Sequence, residues 1–583
     1  MKILKWISLF CSLLLFGQED SVSQKEIIIE VDSLWYQNTH NSFSSNDELT
    51  LFGYNPFEAS ILSNFGSPLF PFWWKSTNSS EMKIGDRLLE YQSKYPVYTS
   101  VYKENFPHTK IIYSQGYSEG QRLNILHTRR YKYGSLNLDY DRLVSNGFLT
   151  HEKNKHTRFY FSGNFSHPEI PYKSKWRIRT FKNESEWNGG LSDDDLFLSG
   201  SQTNWELLPV NWMNLETSIK HKGLDWNHSY TFSEKTKIEY EINLSQDSLF
   251  YEELQDDTLF YPMQLDSATA FQRAFTNVSH SLKWHQKINE DKDATIGLKN
   301  QNFKQQEEGI NRWIIFTALH SKSFKNDIYF SYGKDKTSTN SFIANYTQQI
   351  DFLGVKNSFK IAYEKTLPNW TAQNSSYNWS LGYPYTSTQE VISPNIDQYA
   401  EWNMYLSENI SFHNTYHNID GYTYYNEQAT SVTSDEAVQV FQSRLSHSLT
   451  IKKWHWQKDI AYQNSSSDKI PIAELLIHQK LYWQGKIFKE ASEAQIGVRA
   501  FYRSAHPGMT YSPILGDFYL TPLTQTNESL KCDVFANFQI QTIKVYAAYE
   551  HFNSLWQGEQ YILKPYPIAK PNFRLSLIWN FYD

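Results

Sequence analysis

The sequence predicts an all-β protein: a transmembrane antiparallel β-barrel of about 18 strands (roughly 16–20), preceded by an irregular N-terminal segment. Three observations predict it. The chain ends Phe573-Arg-Leu-Ser-Leu-Ile-Trp-Asn-Phe-Tyr-Asp583, with Phe573, Leu575, Leu577, Trp579 and Phe581 on one parity and Arg574, Ser576 and Asn580 on the other. Successive strand side chains point to opposite faces, so this segment has one oily and one wet face. A closing strand of this kind seals a membrane barrel, and its aromatic row is a candidate C-terminal assembly signal. Similar alternating runs recur from about Thr109 onward. Aromatic residues make up 16% of the chain, with 40 Tyr and 19 Trp, the residues that collect at membrane interfaces.

Residues 1–17 read as a signal peptide. Lys2 and Lys5 give a positive start, and residues 7–16 form an apolar run of about ten residues, too short to span a bilayer as a helix. Cleavage is expected after Gly17 or slightly later. Cys11 follows Phe10 where a lipoprotein signal needs a small residue, so lipidation is not expected. Cys532 is then the single cysteine left, which excludes a disulfide framework and zinc-finger spacing. The net charge of −7 is spread along the chain and offers no basic stripe, so no nucleic-acid partner is expected.

Residues 18–105 form a periplasmic or lumen-facing segment, too small for a core of its own. They include Glu26-Ile-Ile-Ile-Glu30 and then stretches rich in Pro, Asn and Ser, such as Ser63-Asn-Phe-Gly-Ser-Pro-Leu-Phe-Pro-Phe72. Residues 106–583 are the expected barrel. Leu136, Leu138 and Tyr140 alternate with Asn137, Asp139 and Asp141; Phe159 and Phe161 alternate with Arg158 and Ser162. Ile238, Tyr240, Ile242 and Leu244 alternate with Glu239, Glu241 and Asn243. Ile496, Val498, Ala500 and Tyr502 alternate with Gln495, Arg499 and Arg503, and Val534, Ala536 and Phe538 with Asn537 and Gln539. Parity makes Arg158, Glu239, Glu241, Arg499, Arg503 and Arg574 candidate lumen-facing residues. A short turn is expected at Tyr133-Gly134 and long loops over 245–271, 366–395 and 504–530. A soluble sandwich or propeller shares the alternation, but runs of about nine to eleven residues match tilted membrane strands. A repeat of fixed period is also missing, against a propeller.

Several stretches resemble the putative porins of Bacteroidota: His108-Thr-Lys-Ile-Ile-Tyr-Ser-Gln-Gly116, Gln121-Arg-Leu-Asn-Ile-Leu-His127, Tyr140-Asp-Arg-Leu-Val-Ser-Asn-Gly147 and Glu186-Trp-Asn-Gly-Gly-Leu191. Nearer the end they are Gly497-Val-Arg-Ala-Phe-Tyr502, Tyr511-Ser-Pro513, Tyr549-Glu-His551, Tyr566-Pro567 and the final Ile578-Trp-Asn-Phe-Tyr-Asp583, with Phe65-Gly-Ser-Pro-Leu69 near the start. Residues 245–440 match by pattern alone. The resemblance implies an outer-membrane barrel with channel-like activity and carries no catalytic residues.

Other motifs have bland readings. Gly116-Tyr-Ser-Glu-Gly120 fits the G-x-S-x-G pattern of a hydrolase elbow, but no helix follows it, so a turn is expected. His413 and His417 would lie roughly 13 Å apart on one strand face, too far for one metal. Asp193-Asp-Asp195 reads as a solvated acidic loop rather than a calcium site. His127-Thr-Arg-Arg-Tyr-Lys132 reads equally as a lipopolysaccharide-phosphate contact or a charged strand end. No enzyme activity, cofactor or metal is expected.

The expected function is passive diffusion of small hydrophilic solutes through an outer-membrane channel. The alternative is a non-channel barrel acting as scaffold, secretion partner or adhesin through its loops, which a plugged lumen would favour. An energy-coupled receptor of the TonB type needs a plug domain larger than the segment before Thr109 can hold. The expected partners are outer-membrane lipid and lipopolysaccharide, the barrel-assembly machinery and small hydrophilic solutes, with a homo-oligomer left open.

Overall fold

A computed structural model of the chain describes residues 27–31, 34–38, 56–76, 79–89, 99–102, 107–116, 120–213, 215–253, 270–305, 308–335, 340–373, 377–378, 383–384, 393–489 and 491–582. Twenty-two strands close into a single barrel. The first quarter comprises β1 (His108–Gly116), β2 (Gly120–Tyr131), β3 (Gly134–Ser145), β4 (Asn154–Ser166), β5 (Tyr172–Trp187) and β6 (Leu215–Ser233). There follow β7 (Thr236–Glu253), β8 (Ala270–Lys287), β9 (Lys292–Gln305), β10 (Glu308–Ser321), β11 (Asn326–Asp335) and β12 (Asn340–Phe352). The next five are β13 (Val355–Thr366), β14 (Asn395–Ser407), β15 (Ile410–Asp420), β16 (Val438–Ile451) and β17 (Trp454–Ser465). The last are β18 (Leu475–Ile487), β19 (Ser492–Arg503), β20 (Ser529–Ile540), β21 (Ile543–Glu550) and β22 (Asn572–Tyr582). Each pairs antiparallel with its neighbours in sequence, and β22 closes on β1 with Tyr582 opposite His108 and Leu575 opposite Gln115. Closure leaves no strand edge unpaired, the condition for a sheet in lipid.

The strand count corrects the expected 18, for two physical reasons. Several turns lack the glycine that announces a hairpin: Lys452 (φ 56°) and Gln541 (φ 51°) take the left-handed conformation in the turns that follow β16 and β20. Elsewhere alternation fails because the inward row turns apolar. The loop expected to begin at Ser245 is still strand to Glu253, since Leu249 and Tyr251 point inward and are buried against the interior.

The outward row is oily along the whole wall: Leu136, Phe159, Tyr240, Ile315, Val498, Val534, Phe573, Leu575 and Trp579 are exposed on it. The inward row is polar and buried, as Asp139, Asp141, Arg158, Arg499, Asp533 and Ser576 are. The even strand number leaves both barrel ends on one side. That side carries the two-residue turns 132–133, 234–235, 353–354, 408–409, 452–453 and 541–542. The opposite side carries the long connections 188–214, 367–394, 421–437, 504–528 and 551–571, with short helices at Asp194–Leu198, Trp370–Gln373 and Ser554–Gln557. Outside the wall sheet, Ile27–Val31 pairs with Leu34–Asn38 and Thr99–Tyr102.

Candidate functional site

Residues 56–76 and 79–89 lie inside the barrel, in the half nearer the long loops. They contain a short hairpin, Ala59–Ile61 with Leu69–Pro71, and otherwise little regular structure. Proline and scattered polar residues deny this stretch a ladder of its own, so its buried backbone groups need partners from the wall. Wall carboxamides supply them. Gln301 on β9 accepts from Met82 N at 2.9 Å and donates to Met82 O at 3.0 Å. Gln463 on β17 accepts from Trp74 N at 3.3 Å and donates to Phe72 O at 2.6 Å. Gln442 on β16 donates to Trp74 O at 3.1 Å. Asn64 donates to Glu152 O at 2.5 Å, while Ser145 Oγ donates to Asn64 Oδ1 at 2.6 Å.

Aromatic rings make the second set of contacts. Three phenylalanines of the internal segment each meet a wall arginine: Phe57 with Arg444 at 4.3 Å, Phe65 with Arg574 at 4.6 Å and Phe72 with Arg503 at 5.3 Å from guanidinium carbon to ring centre. Desolvated contacts of this kind contribute about 2 kcal/mol each. Met82, Leu88 and Leu89 fill a cluster with Phe181, Ile219, Leu249, Tyr251, Phe275 and Phe303 of the wall. Leu62 and Phe70 pack with Trp187, Trp212, Tyr511 and Phe518.

The long loops fold inward onto this plug. Thr371 Oγ1 donates to Ile84 O at 2.7 Å, and Trp370 N to Lys83 O at 2.8 Å. The hairpin His506–Ser512 with Asp517–Thr526 reaches in far enough for Arg87 N to donate to Gly516 O at 2.8 Å. Gly516 has φ 71°, and a Cβ there would collide with the Asp86 carboxylate at 2.2 Å, so both conformation and space require glycine. Arg87 also ion-pairs with Asp517. Between the plug and the loops remains a cavity of about 530 Å³, bordered by Trp73, Trp74, Lys75, Lys83, Arg87, Tyr422, Tyr424 and Lys469 among others.

The sequence matches the family model described as Putative porin over residues 18–583. This chain belongs to the Putative porin family. No curated protein matches its sequence. Solved structures share its barrel. The copper transporter OprC superposes with a TM-score of 0.65 at 9% identity, covering 90% of this chain and 94% of that one. A mutant of the ferric enterobactin receptor PfeA from Pseudomonas aeruginosa gives 0.60 at 8% identity, covering 82% and 81%. The FrpB iron transporter from Neisseria meningitidis gives 0.59 at 9% identity, covering 82% of each chain. At such identities the likeness is one of fold. Family and barrel together imply an outer-membrane location.

In this chain the six charged residues singled out by parity divide into two groups. Arg158, Arg499, Arg503 and Arg574 point inward but are sealed from water. Arg158 pairs with Asp141 at 3.3 Å and Asp139 at 3.6 Å, and Arg122 meets Asp141 at 2.6 Å. Arg499 holds Asp533 at 2.8 Å and Glu550 at 3.5 Å, and Arg574 holds Glu550 at 3.2 Å. Arg503 donates to Tyr561 O at 3.0 Å. These groups brace the plugged half. Glu239 and Glu241 lie nearer the turn side, where the inward row is only half-buried, beside Lys237, His285 and Lys283. The closing-strand residues Phe573, Leu575 and Trp579 are exposed on the outer surface, and Leu577 and Phe581 share their parity.

The remaining motifs settle into structural roles. Ser118 of the G-x-S-x-G stretch lies outside the described residues, and Gly116 pairs with Gly120 across the β1–β2 hairpin. His417 faces inward and binds Asp397 at 3.0 Å, while His413 hydrogen-bonds Asn403. Asp193 caps the helix Asp194–Leu198 by accepting from Leu196 N at 2.9 Å, and Asp194 accepts from Tyr561 at 2.7 Å. Arg129, Arg130 and Lys132 sit on the turn side with the barrel ends, away from the long loops, as a charged strand end.

Sequence reasoning passed over Gln301, Gln442, Gln463 and Glu152. A carboxamide on an inward row looks like any wetted position, and only the plug seated against it gives it a task. Glu152, in the loop between β3 and β4, accepts from Ser63 Oγ and from Phe148 N at 2.9 Å and Leu149 N at 3.2 Å. Burial pushes its carboxyl up to about 7 in spite of these donors.

Proposed function

We propose that this porin is a gated channel for small hydrophilic solutes, closed at rest by its own residues 56–89. The observation that carries this reading is the way the plug is attached. It joins the wall through side-chain hydrogen bonds, ion pairs, ring contacts and apolar packing, and among the described residues no wall strand pairs with it. The plug can therefore leave without breaking a wall ladder: its hydrogen bonds exchange for water at modest cost, and the apolar burial of Leu62, Phe70, Met82 and Leu88 is what holds the gate shut at rest. Below it, on the turn side taken as periplasmic, the wall continues as a tube lined by half-exposed charges such as Glu239, Glu241 and Lys283. Free diffusion through the resting protein does not fit a lumen filled over its outer half.

A second reading, a non-channel scaffold or adhesin, draws on the same filled lumen and on the long loops. Planar-bilayer conductance separates the two. The full-length protein is expected to conduct little. A variant lacking residues 56–89, verified as folded by its heat-shifted band on a detergent gel, is expected to form a stable, wide channel. A folded plug-less barrel that stays silent would favour the scaffold.

A further inference from the structure

We propose that the cavity of about 530 Å³ between the plug and the long loops is a binding site for an anionic oligosaccharide of two or three rings. The proposal rests on the gated-channel reading for its purpose, and names the solute class held above the gate. Its volume lies within the range of small-molecule sites and admits a disaccharide with accompanying water.

Charge argues for an anion. The lining holds four cationic side chains, Lys75, Lys83, Arg87 and Lys469, and two carboxylates, Glu58 and Asp517. Both carboxylates are already engaged. Glu58 pairs with Lys75 and, at 3.3 Å, with Arg444; Asp517 pairs with Arg87. Burial would raise the Glu58 carboxyl, but the two cations bring it below its ordinary value, so it stays ionised and saturated. Among the described residues neither Lys83 nor Lys469 has a carboxylate partner. Lys469 donates instead to Ser434 Oγ at 2.9 Å, and its ammonium lies 5.7 Å from the centre of the Tyr424 ring. Two ammonium groups therefore face the space with their charge uncompensated, which disfavours a cationic solute and attracts a carboxylate or sulfate.

Rings and polar groups argue for a sugar. Tyr422 and Tyr424 stand nearly parallel, with ring centres 6.3 Å apart. With Trp74 they border the cavity with flat apolar faces. Asn369 and Asn395 add carboxamides whose oxygens are held by Ala372 N at 2.8 Å and the Thr423 hydroxyl at 3.1 Å, which leaves their amide N–H groups for a hydroxyl-rich ligand. An aromatic acid would use the rings and the ammonium groups alone, whereas a sugar can also meet the amide N–H groups of Asn369 and Asn395.

The test is equilibrium binding by calorimetry on the full chain in detergent, with digalacturonate, a sulfated disaccharide, maltose and benzoate as probes. Binding is read without any passage through the barrel, so a failure here is distinct from a failure of the channel reading. Digalacturonate or the sulfated disaccharide is expected to bind at least tenfold more tightly than maltose or benzoate, and the better of the two identifies the acid group. The double variant Lys83→Gln/Lys469→Gln is expected to lose tenfold or more in affinity for it with an unchanged gel heat shift. Lys287→Gln, at the turn side away from the cavity and paired there with Glu290, is the control and should leave binding unchanged. The proposal is overturned if neither acidic sugar binds, if maltose or benzoate binds as tightly, or if the folded double variant binds unchanged.

Discussion

The carboxamide of Gln301 closes on both backbone groups of Met82, accepting at 2.9 Å and donating at 3.0 Å, as a neighbouring strand would. One wall side chain thus satisfies a buried donor and a buried acceptor of the plug. Gln301→Leu keeps the bulk and orphans both, at a cost of about 2–4 kcal/mol to plug seating. A cysteine at Ser79 should then react with maleimide at least tenfold faster than in the parent, and bilayer recordings should show more openings.

Plug seating should weaken as pH rises. Glu152 titrates near 7 when the loop is docked, against an ordinary 4.5. Below about 4.5 both docked and released forms hold the proton, and no penalty applies. Between about 4.5 and 7 the released form gives up its proton while the docked form keeps it, so docking loses stability, reaching roughly 3 kcal/mol above pH 7. Tryptic cleavage after Arg87 should accelerate across that interval, and Glu152→Gln should flatten the profile. An accelerated rate toward acid pH would contradict the assignment.

Arg574 serves two masters, the buried Glu550 carboxylate at 3.2 Å and the Phe65 ring at 4.6 Å. Arg574→Met leaves Glu550 to Arg499 and Lys531 at 3.5 and 4.0 Å. Removing one partner of a buried ion pair costs about 3–5 kcal/mol. Urea titration in liposomes should register the loss, and adding Glu550→Gln should recover most of it.

Val498 lies mid-strand on the outer surface. Val498→Arg places a charge at the centre of the lipid contact and should destabilise the barrel by about 2–4 kcal/mol in the same titration. In plain detergent micelles the penalty should shrink, because water reaches the wall there.

How far the fold was legible depends on where alternation survives. In β3, Leu136, Leu138 and Tyr140 face outward and Asn137, Asp139 and Asp141 inward, as their parity predicts, because lipid and polar interior impose opposite demands on adjacent residues. In β7 the rule breaks at Leu249 and Tyr251, whose apolar side chains face inward to meet Met82 and Leu88. That break has no local cause; it answers a segment more than 150 residues away in the chain. The same holds for Arg499 and Arg574, whose inward direction is readable but whose burial in ion pairs is not.

What the chain determined by itself is the wall: an aromatic-rich protein whose alternating segments divide lipid from interior, down to the polarity of its last strand. That information is local, since neighbouring residues on a strand report opposite environments. Tertiary structure decided the closure at twenty-two strands and the filling of the half nearer the long loops by residues 56–76 and 79–89. It also placed the cavity that remains above them. Those outcomes follow from which distant side chains reach one another across an enclosed volume, and no periodicity along the chain encodes such a meeting.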